Sequence, residues 1–258
     1  MADDDPKKPL RLGGMALANG LLVHGPAHWA AAVRRPDGSI GVASGAKPRL
    51  RMRTSSVPLA RGIASMAEAL AVIPLVRRAL PEARLPFESR RVLAAIGGTA
   101  IAGTLLRRRG AEAAAMAVGV VPSLVALRTG ETAAYHGAEH KAIGAYETGE
   151  QDHSKEHDRC GSHLMTPLVA ANAAGAALLK RAAEEPSPLA KSAVGLASLG
   201  AAVEVFAWSE RHPDSFGARA LRRPGHELQR LVGTREPSAE QLEVAQAALA
   251  EILRAEGV

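Results

Sequence analysis

The hydrophobic and polar positions divide the chain into a short, glycine-punctuated N-terminal part and a long alanine-rich part. Residues 12–56 hold short apolar runs separated by glycines, and Pro36, Asp37 and Gly38 stand between two of these runs. Proline presets φ and glycine accepts a positive φ, so this tripeptide predicts a turn within a β-hairpin. Residues 1–11 are charged and lack the apolar core of a secretory signal, which predicts a disordered start.

Long stretches without charge follow from residue 57 onward and predict helices. Four of them contain no charged residue: 92–106, 113–127, 164–179 and 192–203. Each is shorter than the roughly 20 residues that a membrane-spanning helix needs, but flanking arginines could snorkel and extend the span. The pattern therefore leaves two alternatives open, a membrane-embedded bundle and a soluble bundle of alanine-rich helices.

The C-terminal end has a clearer helical pattern. Ser238 followed by Gln241 is a capping-box sequence. Apolar residues then recur at helical spacing, namely Leu242, Ala245, Leu249, Ile252 and Leu253. This pattern predicts an amphipathic helix that lies outside any membrane.

These patterns predict four regions along the chain. They are a disordered start at 1–11, a glycine-rich loop and β-hairpin at 12–56, a helical and membrane-embedded region at 57–208, and a C-terminal helical segment at 209–258. The fold class expected is mainly α, a multi-helix membrane bundle with a small N-terminal β-hairpin and a C-terminal amphipathic helix.

Composition narrows the function classes. The net charge is +6, but the arginine clusters lack interleaved aromatic residues, so we expect no nucleic-acid partner. Cys160 is the single cysteine and cannot form an internal disulfide. The chain is therefore expected to work in a reducing compartment or on the cytoplasmic side of a membrane.

Side chains capable of chemistry are concentrated in residues 129–163. This segment holds five of the nine histidines and the only cysteine. Thr129 as a cap and Gly149 as a stop predict a helix of about five turns. On that helix His136 and His140 stand four residues apart and share one face, as two ligands of one metal ion must.

The sequence HGAEH matches H-x-x-E-H, the reversed zinc-protease pattern, in which both histidines bind metal and the glutamate polarises a bound water. Farther along, His157 and Cys160 are three residues apart and could complete a four-ligand shell. The predicted metal ligands are His136, His140, His157 and Cys160, with Glu139 as the catalytic group. The expected cofactor is a divalent metal, with Zn²⁺ as the first choice.

Other interpretations of the same residues stay open. A histidine pair on a helix also suits a solvated or hydrogen-bonded face. Cys160 could instead be a nucleophile, with Arg159 lowering its pKa and His157 or His140 activating it, or simply a buried cysteine.

Several motifs resemble, in the same order, those of the YqhQ-like family of bacterial membrane proteins (domain of unknown function 1385). They are GGMALANGLLVHGP, WAAAVRRPDGSI, YHGAEHKAIGAYE, HDRCGS and the segment beginning PGHELQRLVGTREP. That family is uncharacterised and is described as predicted metal-dependent enzymes. The resemblance implies an integral membrane protein with a cytoplasmic metal site at His136, Glu139, His140, His157 and Cys160.

Two hypotheses follow for function. The first is a metal-dependent hydrolase that uses a metal-activated water at the HxxEH site on a peptide or lipid ester. The second is a non-catalytic membrane scaffold or assembly factor with a structural metal or histidine cluster. In both, the partner is the lipid bilayer of a bacterial cell membrane, crossed several times with the site facing the cytoplasm. The substrate and any homo-oligomer remain open.

Overall fold

The computed structural model describes residues 9–48, 58–128, 131–150 and 152–258. Backbone contacts group them into two compact units. The first unit takes the described residues of Met1–Ala46, Pro74–Glu156 and Arg230–Val258, and the second those of Lys47–Ile73 and His157–Gln229. Each unit is thus assembled from segments that lie far apart in the sequence.

The described residues form a mainly helical fold with one small sheet. The strands are β1 (Gly13–Ala16), β2 (Gly20–His24), β3 (His28–Arg34) and β4 (Ile40–Ala46). The helices are α1 (Ala60–Ala71), α2 (Ile73–Ala79), α3 (Arg90–Arg108), α4 (Glu112–Gly119), α5 (Val121–Arg128), α6 (Thr132–Thr148), α7 (Met165–Ala182), α8 (Pro188–Arg211), α9 (Phe216–Leu228) and α10 (Ala239–Glu256). The mainly helical class with a small N-terminal β element is confirmed.

The sheet is an antiparallel meander with the strand order β1-β2-β3-β4. The predicted turn joins β3 to β4, where Gly38 has a φ of +84° and the Asp37 carboxylate accepts a hydrogen bond from the Ser39 N–H at 2.9 Å. The glycine-rich run before it forms two further strands, which the sequence did not predict. Glycine allows this because a Cβ at Gly20 would lie 2.1 Å from the Ala32 carbonyl oxygen on β3.

Helix α10 covers the sheet and completes the core of the first unit. Ser238 caps it in the predicted capping box, with its side chain accepting from the Gln241 N–H. The face that packs on the sheet and on α6 consists of the fully buried Val244, Ala245, Ala248 and Ile252. The predicted Leu242, Leu249 and Leu253 are only partly buried beside it.

Helix α6 carries the predicted metal segment and lies in the core of the first unit. It ends at Gly149 as predicted, and this glycine adopts a left-handed conformation with a φ of +76°. Eleven of its seventeen residues are buried. Its predicted cap, Thr129, lies outside the described residues, and Glu131 occupies the N-cap position without a capping hydrogen bond from its side chain.

The predicted apolar stretches form helices of unequal length. Gly161–Ala182, which includes α7, and Pro188–Arg211, which is α8, are long and apolar enough to cross a membrane. At about 1.5 Å per residue each would reach roughly 33–36 Å, which exceeds the hydrocarbon thickness of a bilayer. The stretch at 113–127 instead divides into α4 and α5 around Val120. Of the four expected spans, two therefore meet the length test among the described residues.

Candidate metal centre

Helix α6 presents His136 and His140 side by side. Four residues complete slightly more than one turn, so both rings lie on one face, with centroids 4.3 Å apart and planes inclined by 59°. His140 is buried and His136 is partly exposed. The predicted juxtaposition of the two imidazoles is therefore present in the fold.

A backbone carbonyl holds the Nδ1 atom of each ring. His136 Nδ1 donates to the Gly233 oxygen at 2.8 Å, and His140 Nδ1 donates to the Lys155 oxygen at 2.6 Å. A carbonyl oxygen only accepts hydrogen bonds, so in each neutral ring Nδ1 carries the proton and Nε2 carries the lone pair. Metal-binding histidines in proteins are commonly oriented in this way.

Two glycines of α6 allow these carbonyls to come so close. A Cβ at Gly137 would lie 2.2 Å from the Arg235 oxygen, and a Cβ at Gly144 would lie 2.2 Å from the His153 ring. Segment 233–235 can therefore pack on the helix, where the Arg235 N–H donates to the Ala133 oxygen at 2.8 Å. The segment that contains His153 and Lys155 packs on the helix at Gly144, where a larger side chain would collide with the His153 ring. The sequence analysis missed both positioning glycines, although glycine within a helix is a known sign of close packing.

Cys160 completes a group of potential ligands. The ligand atoms of His136, His140 and Cys160 all lie within 4.8 Å of one another. This His–His–Cys cluster could bind a metal ion, and its donor set matches the nitrogen and sulfur ligands that zinc takes in proteins. Burial raises the pKa of the Cys160 thiol, whereas a reactive cysteine needs a lowered pKa. The thiol-nucleophile alternative thus gains no support.

Within the second unit, Gln229 organises the segment that carries Cys160. Its side-chain oxygen accepts from the His157 N–H at 2.8 Å, and its amide nitrogen donates to the Ser162 hydroxyl at 2.8 Å. The same nitrogen also lies 3.2 Å from His163 Nε2. Gln229 is fully buried, so this network fixes the loop backbone on both sides of the cysteine.

An ion-pair network supports the same segment from α9. Asp158 accepts from His226 at 2.9 Å and from Arg222 at 3.1 Å. The hydrogen bond from His226, together with the nearby Arg222 charge, lowers the pKa of Asp158 to about 2. Asp158 is therefore ionised at neutral pH and anchors the loop to α9.

Comparison with known proteins places this region in a family. A family of proteins of unknown function, DUF1385, matches residues 128–255. Over these residues the chain belongs to the DUF1385 family. The resemblance inferred from the motifs is thereby confirmed, and all three residues of the cluster lie inside the matched region.

One curated relative of this DUF1385 chain is the uncharacterized protein YqhQ of Bacillus subtilis (strain 168). The two are 35% identical over 136 residues, which cover 48% of this chain and 41% of YqhQ. The chain thus aligns with about two fifths of the length of that relative. No solved structure matches the chain.

His157, the remaining predicted ligand, differs from the two helical histidines. The Arg159 N–H donates to His157 Nδ1 at 3.2 Å, so the proton of its neutral ring lies on Nε2. Burial also lowers the pKa of His157, which favours the neutral ring. The three-residue cluster among the described residues does not include it, and its role as a fourth ligand stays a prediction.

Glu139, the predicted catalytic group, precedes His140 on α6 and is buried. Its carboxylate packs against β1, where a Cβ at Gly14 would lie 2.3 Å from Oε1. A glycine at this strand position leaves the room that the carboxylate occupies. The catalytic role of Glu139 also stays a prediction.

Proposed function

We propose that this protein holds a zinc ion at His136, His140 and Cys160 and acts as a metal-dependent hydrolase at a membrane. The carrying observation is that the Nδ1 atoms of both α6 histidines donate to backbone carbonyls, those of Gly233 and Lys155, which leaves both lone pairs on Nε2. Two imidazole nitrogens and one thiolate are a donor set that zinc accepts. With three protein ligands, a bound zinc ion would keep a position for water or substrate, as catalytic zinc sites require.

A zinc ion, when bound, would act as a Lewis acid and would lower the pKa of water toward about 7. The remaining chemistry belongs to the protein. Glu139, buried one residue before His140, is the group proposed to act as the general base. The Gly233 and Lys155 carbonyls hold the two imidazoles in one orientation and one tautomer.

The alternative function is that of a membrane scaffold or assembly factor with a structural metal. This function requires a closed shell, in which His157 provides the fourth ligand. For His157 to bind through Nδ1, that nitrogen would have to give up the hydrogen bond that it accepts from Arg159. The present tautomer thus favours three ligands and the hydrolase.

Metal analysis of purified protein tests the centre. We expect about one equivalent of zinc in the wild type and its loss, by at least tenfold, in His140→Ala and in Cys160→Ser. The matched control is His212→Ala, because His212 is an exposed histidine at the end of α8. Wild-type protein without bound metal, or His140→Ala with full zinc content, would overturn the proposal.

Two further variants separate the hydrolase from the scaffold. His157→Ala retains zinc if three ligands hold the metal and loses it if the shell is closed. Glu139→Gln is expected to retain zinc and to abolish hydrolysis of a panel of activated peptide and lipid esters. Hydrolysis at the wild-type rate by Glu139→Gln would contradict the assigned role of Glu139.

We further propose that α7 and α8 cross the cytoplasmic membrane as a hairpin and that the metal centre faces the cytoplasm. Only five residues, 183–187, separate the two helices, so a double crossing returns the chain to its starting side. The loop side carries three basic residues, whereas the other side carries six outside the two helices and within about 20 residues of them: Lys155, Arg159, Arg219, Arg222, Arg223 and Arg230, against Lys180, Arg181 and Lys191. This bias follows the positive-inside rule for a cytoplasmic C-terminal region.

Reporter fusions in a bacterial host test this topology. A fluorescent protein fused after Val258 should fluoresce, and alkaline phosphatase inserted between Glu184 and Glu185 should be active. The reverse pattern would contradict the orientation, and recovery of the chain in the soluble fraction would contradict membrane insertion.

A further inference from the structure

The first unit contains a cavity whose lining includes none of the three residues of the metal centre. Its volume is about 580 Å³, within the range of roughly 300–1,000 Å³ that is typical of ligand sites. Four arginines line it, Arg34, Arg35, Arg77 and Arg84. Three carboxylates, the Asn19 amide and the Tyr135 hydroxyl contribute the other polar groups.

The Asn19 side chain fixes the walls of this cavity. Its amide nitrogen donates to the Arg34 oxygen at 3.0 Å and to the Glu82 oxygen at 3.1 Å. Its amide oxygen accepts from the Arg84 N–H at 2.9 Å. The end of β3 and the loop after α2 are thereby bonded to one another through a single side chain, so the cavity is preformed.

Carboxylates pair with three of the four lining arginines. Glu82 pairs with Arg35 at 3.1 Å, and Glu88 pairs with Arg77. Arg84 is exposed and forms no side-chain ion pair within the part of the chain that the structure describes. Arg34 pairs with Glu243 at 3.0 Å, so Arg84 is the one lining arginine, among the described residues, that is left without a carboxylate partner.

Guanidinium groups suit one ligand chemistry in particular. Each offers five N–H donors in a planar fork, and a single carboxylate partner uses at most two or so of them. Arginines from several walls can therefore reach one group that has more than two acceptor oxygens. A phosphate has three or four such oxygens, whereas a carboxylate has two.

We propose that this cavity binds a phosphate-bearing ligand, with Arg84 and Arg35 as the principal contacts. The phosphate could belong to a soluble compound or to a lipid headgroup, and both sources present the same oxygens to the arginines. Glu131 opposes the ligand charge from the N-terminal end of α6. Binding is therefore expected to depend on the balance between Arg84 and Glu131.

Titration calorimetry with inorganic pyrophosphate tests the site on the full chain in detergent. We expect Arg84→Ala to weaken binding by at least tenfold and Glu131→Gln to tighten it several-fold. The control is Arg78→Ala, because Arg78 is an exposed arginine on the same helix as Arg77 and does not line the cavity. Pyrophosphate held by a metal ion elsewhere would bind equally to Arg84→Ala, and that result would overturn the proposal.

A second titration separates the two sources of phosphate. Dihexanoyl phosphatidic acid that binds more than tenfold tighter than glycerol 3-phosphate would identify a lipid headgroup. Equal affinities would identify a soluble phosphate compound. Either result supports the site, provided that Arg84→Ala weakens the binding of the same probe. Wild-type protein that binds none of the three probes, or loss of binding in Arg78→Ala to the same extent, would overturn it.

Discussion

Helix α6 and the helices α7 and α8 differ in both composition and burial. Helix α6 carries two histidines, two glutamates and a lysine, yet eleven of the thirteen residues from Thr132 to Gly144 are buried. Helix α7 has one buried residue, Pro167, and its apolar side chains are largely exposed. In α8, Leu189 and Leu196 are each more than half exposed.

The difference indicates that α6 is stabilised by contacts inside the protein, whereas α7 and α8 expose apolar surface that the described residues do not bury. The polar groups of α6 are satisfied inside the protein, as the carbonyls that hold His136 and His140 show. In the most apolar windows of Gly161–Ala182 and Pro188–Arg211, only 11% and 17% of the residues are buried. The buried polar side chains of α6 are typical of a functional site. The exposed apolar surface of α7 and α8 indicates that these helices lie in an apolar environment.

The largest expected contrast comes from truncating one aliphatic side chain in each region. Ile143 on α6 is buried, so Ile143→Ala should lower the free energy of unfolding by about 2–5 kcal/mol. Leu196→Ala on α8 should change it by less than about 0.5 kcal/mol, because Leu196 is 56% exposed. Chemical denaturation in one detergent would measure both, and equal losses would contradict the contrast.

Glycine substitutions should have opposite signs in the two regions. Gly137→Ala places a methyl group 2.2 Å from the Arg235 oxygen and should destabilise the protein by about 1–3 kcal/mol. It should also displace the Gly233 carbonyl from His136 and weaken zinc binding.

The matched change on α8 is Gly195→Ala, where a Cβ would meet no atom within 4 Å. Alanine favours a helix over glycine, so this variant should gain about 0.5–1 kcal/mol and keep its metal. Thermal unfolding and metal content would check the pair. A Gly137→Ala variant with wild-type stability and full zinc content would contradict the proposal that Gly137 lets segment 233–235 pack against the helix.

A smaller effect would test how completely the polar groups of α6 are satisfied. The Thr132 hydroxyl is buried and has no hydrogen-bond partner among the described residues. Thr132→Val should therefore raise stability by roughly 1 kcal/mol, since it removes an unsatisfied buried group. Thr99→Val on α3 is the control, because the Thr99 hydroxyl donates to the Ala95 oxygen. A loss of stability in Thr132→Val would mean that the hydroxyl has a partner.

The parts of the fold that were predicted correctly depend on interactions between residues that are close together in the sequence. Gly149 ends α6, Ser238 and Gln241 cap α10, and Gly38 turns the chain between β3 and β4. Each acts through hydrogen bonds or dihedral angles within a few residues. Strands β1 and β2 were missed because glycine-rich runs carry a weak strand signal and these strands depend on their pairing with β3.

The candidate site was predicted in part for the same reason. Helical spacing alone places His136 beside His140. The roles of Gly137 and Gly144 depend on segments 233–235 and 153–155, which pack on the helix only in the folded unit. His157 and His136 carry the same imidazole group, so the sequence does not distinguish them as ligands. In the structure His157 Nδ1 accepts a hydrogen bond from the Arg159 N–H, whereas His136 Nδ1 donates one to the Gly233 oxygen, and the two rings therefore have different tautomers.

The amino-acid sequence determined by itself that a helix would carry two imidazoles one turn apart, that it would stop at Gly149, and that long apolar helices would follow. Periodicity, capping and hydropathy act over a few residues and are readable without a structure. The tertiary structure alone decided which carbonyls hold the rings, since Gly233 lies 97 residues from His136. It also decided that the polar helix is buried and the apolar ones exposed, because burial depends on which distant segments pack together.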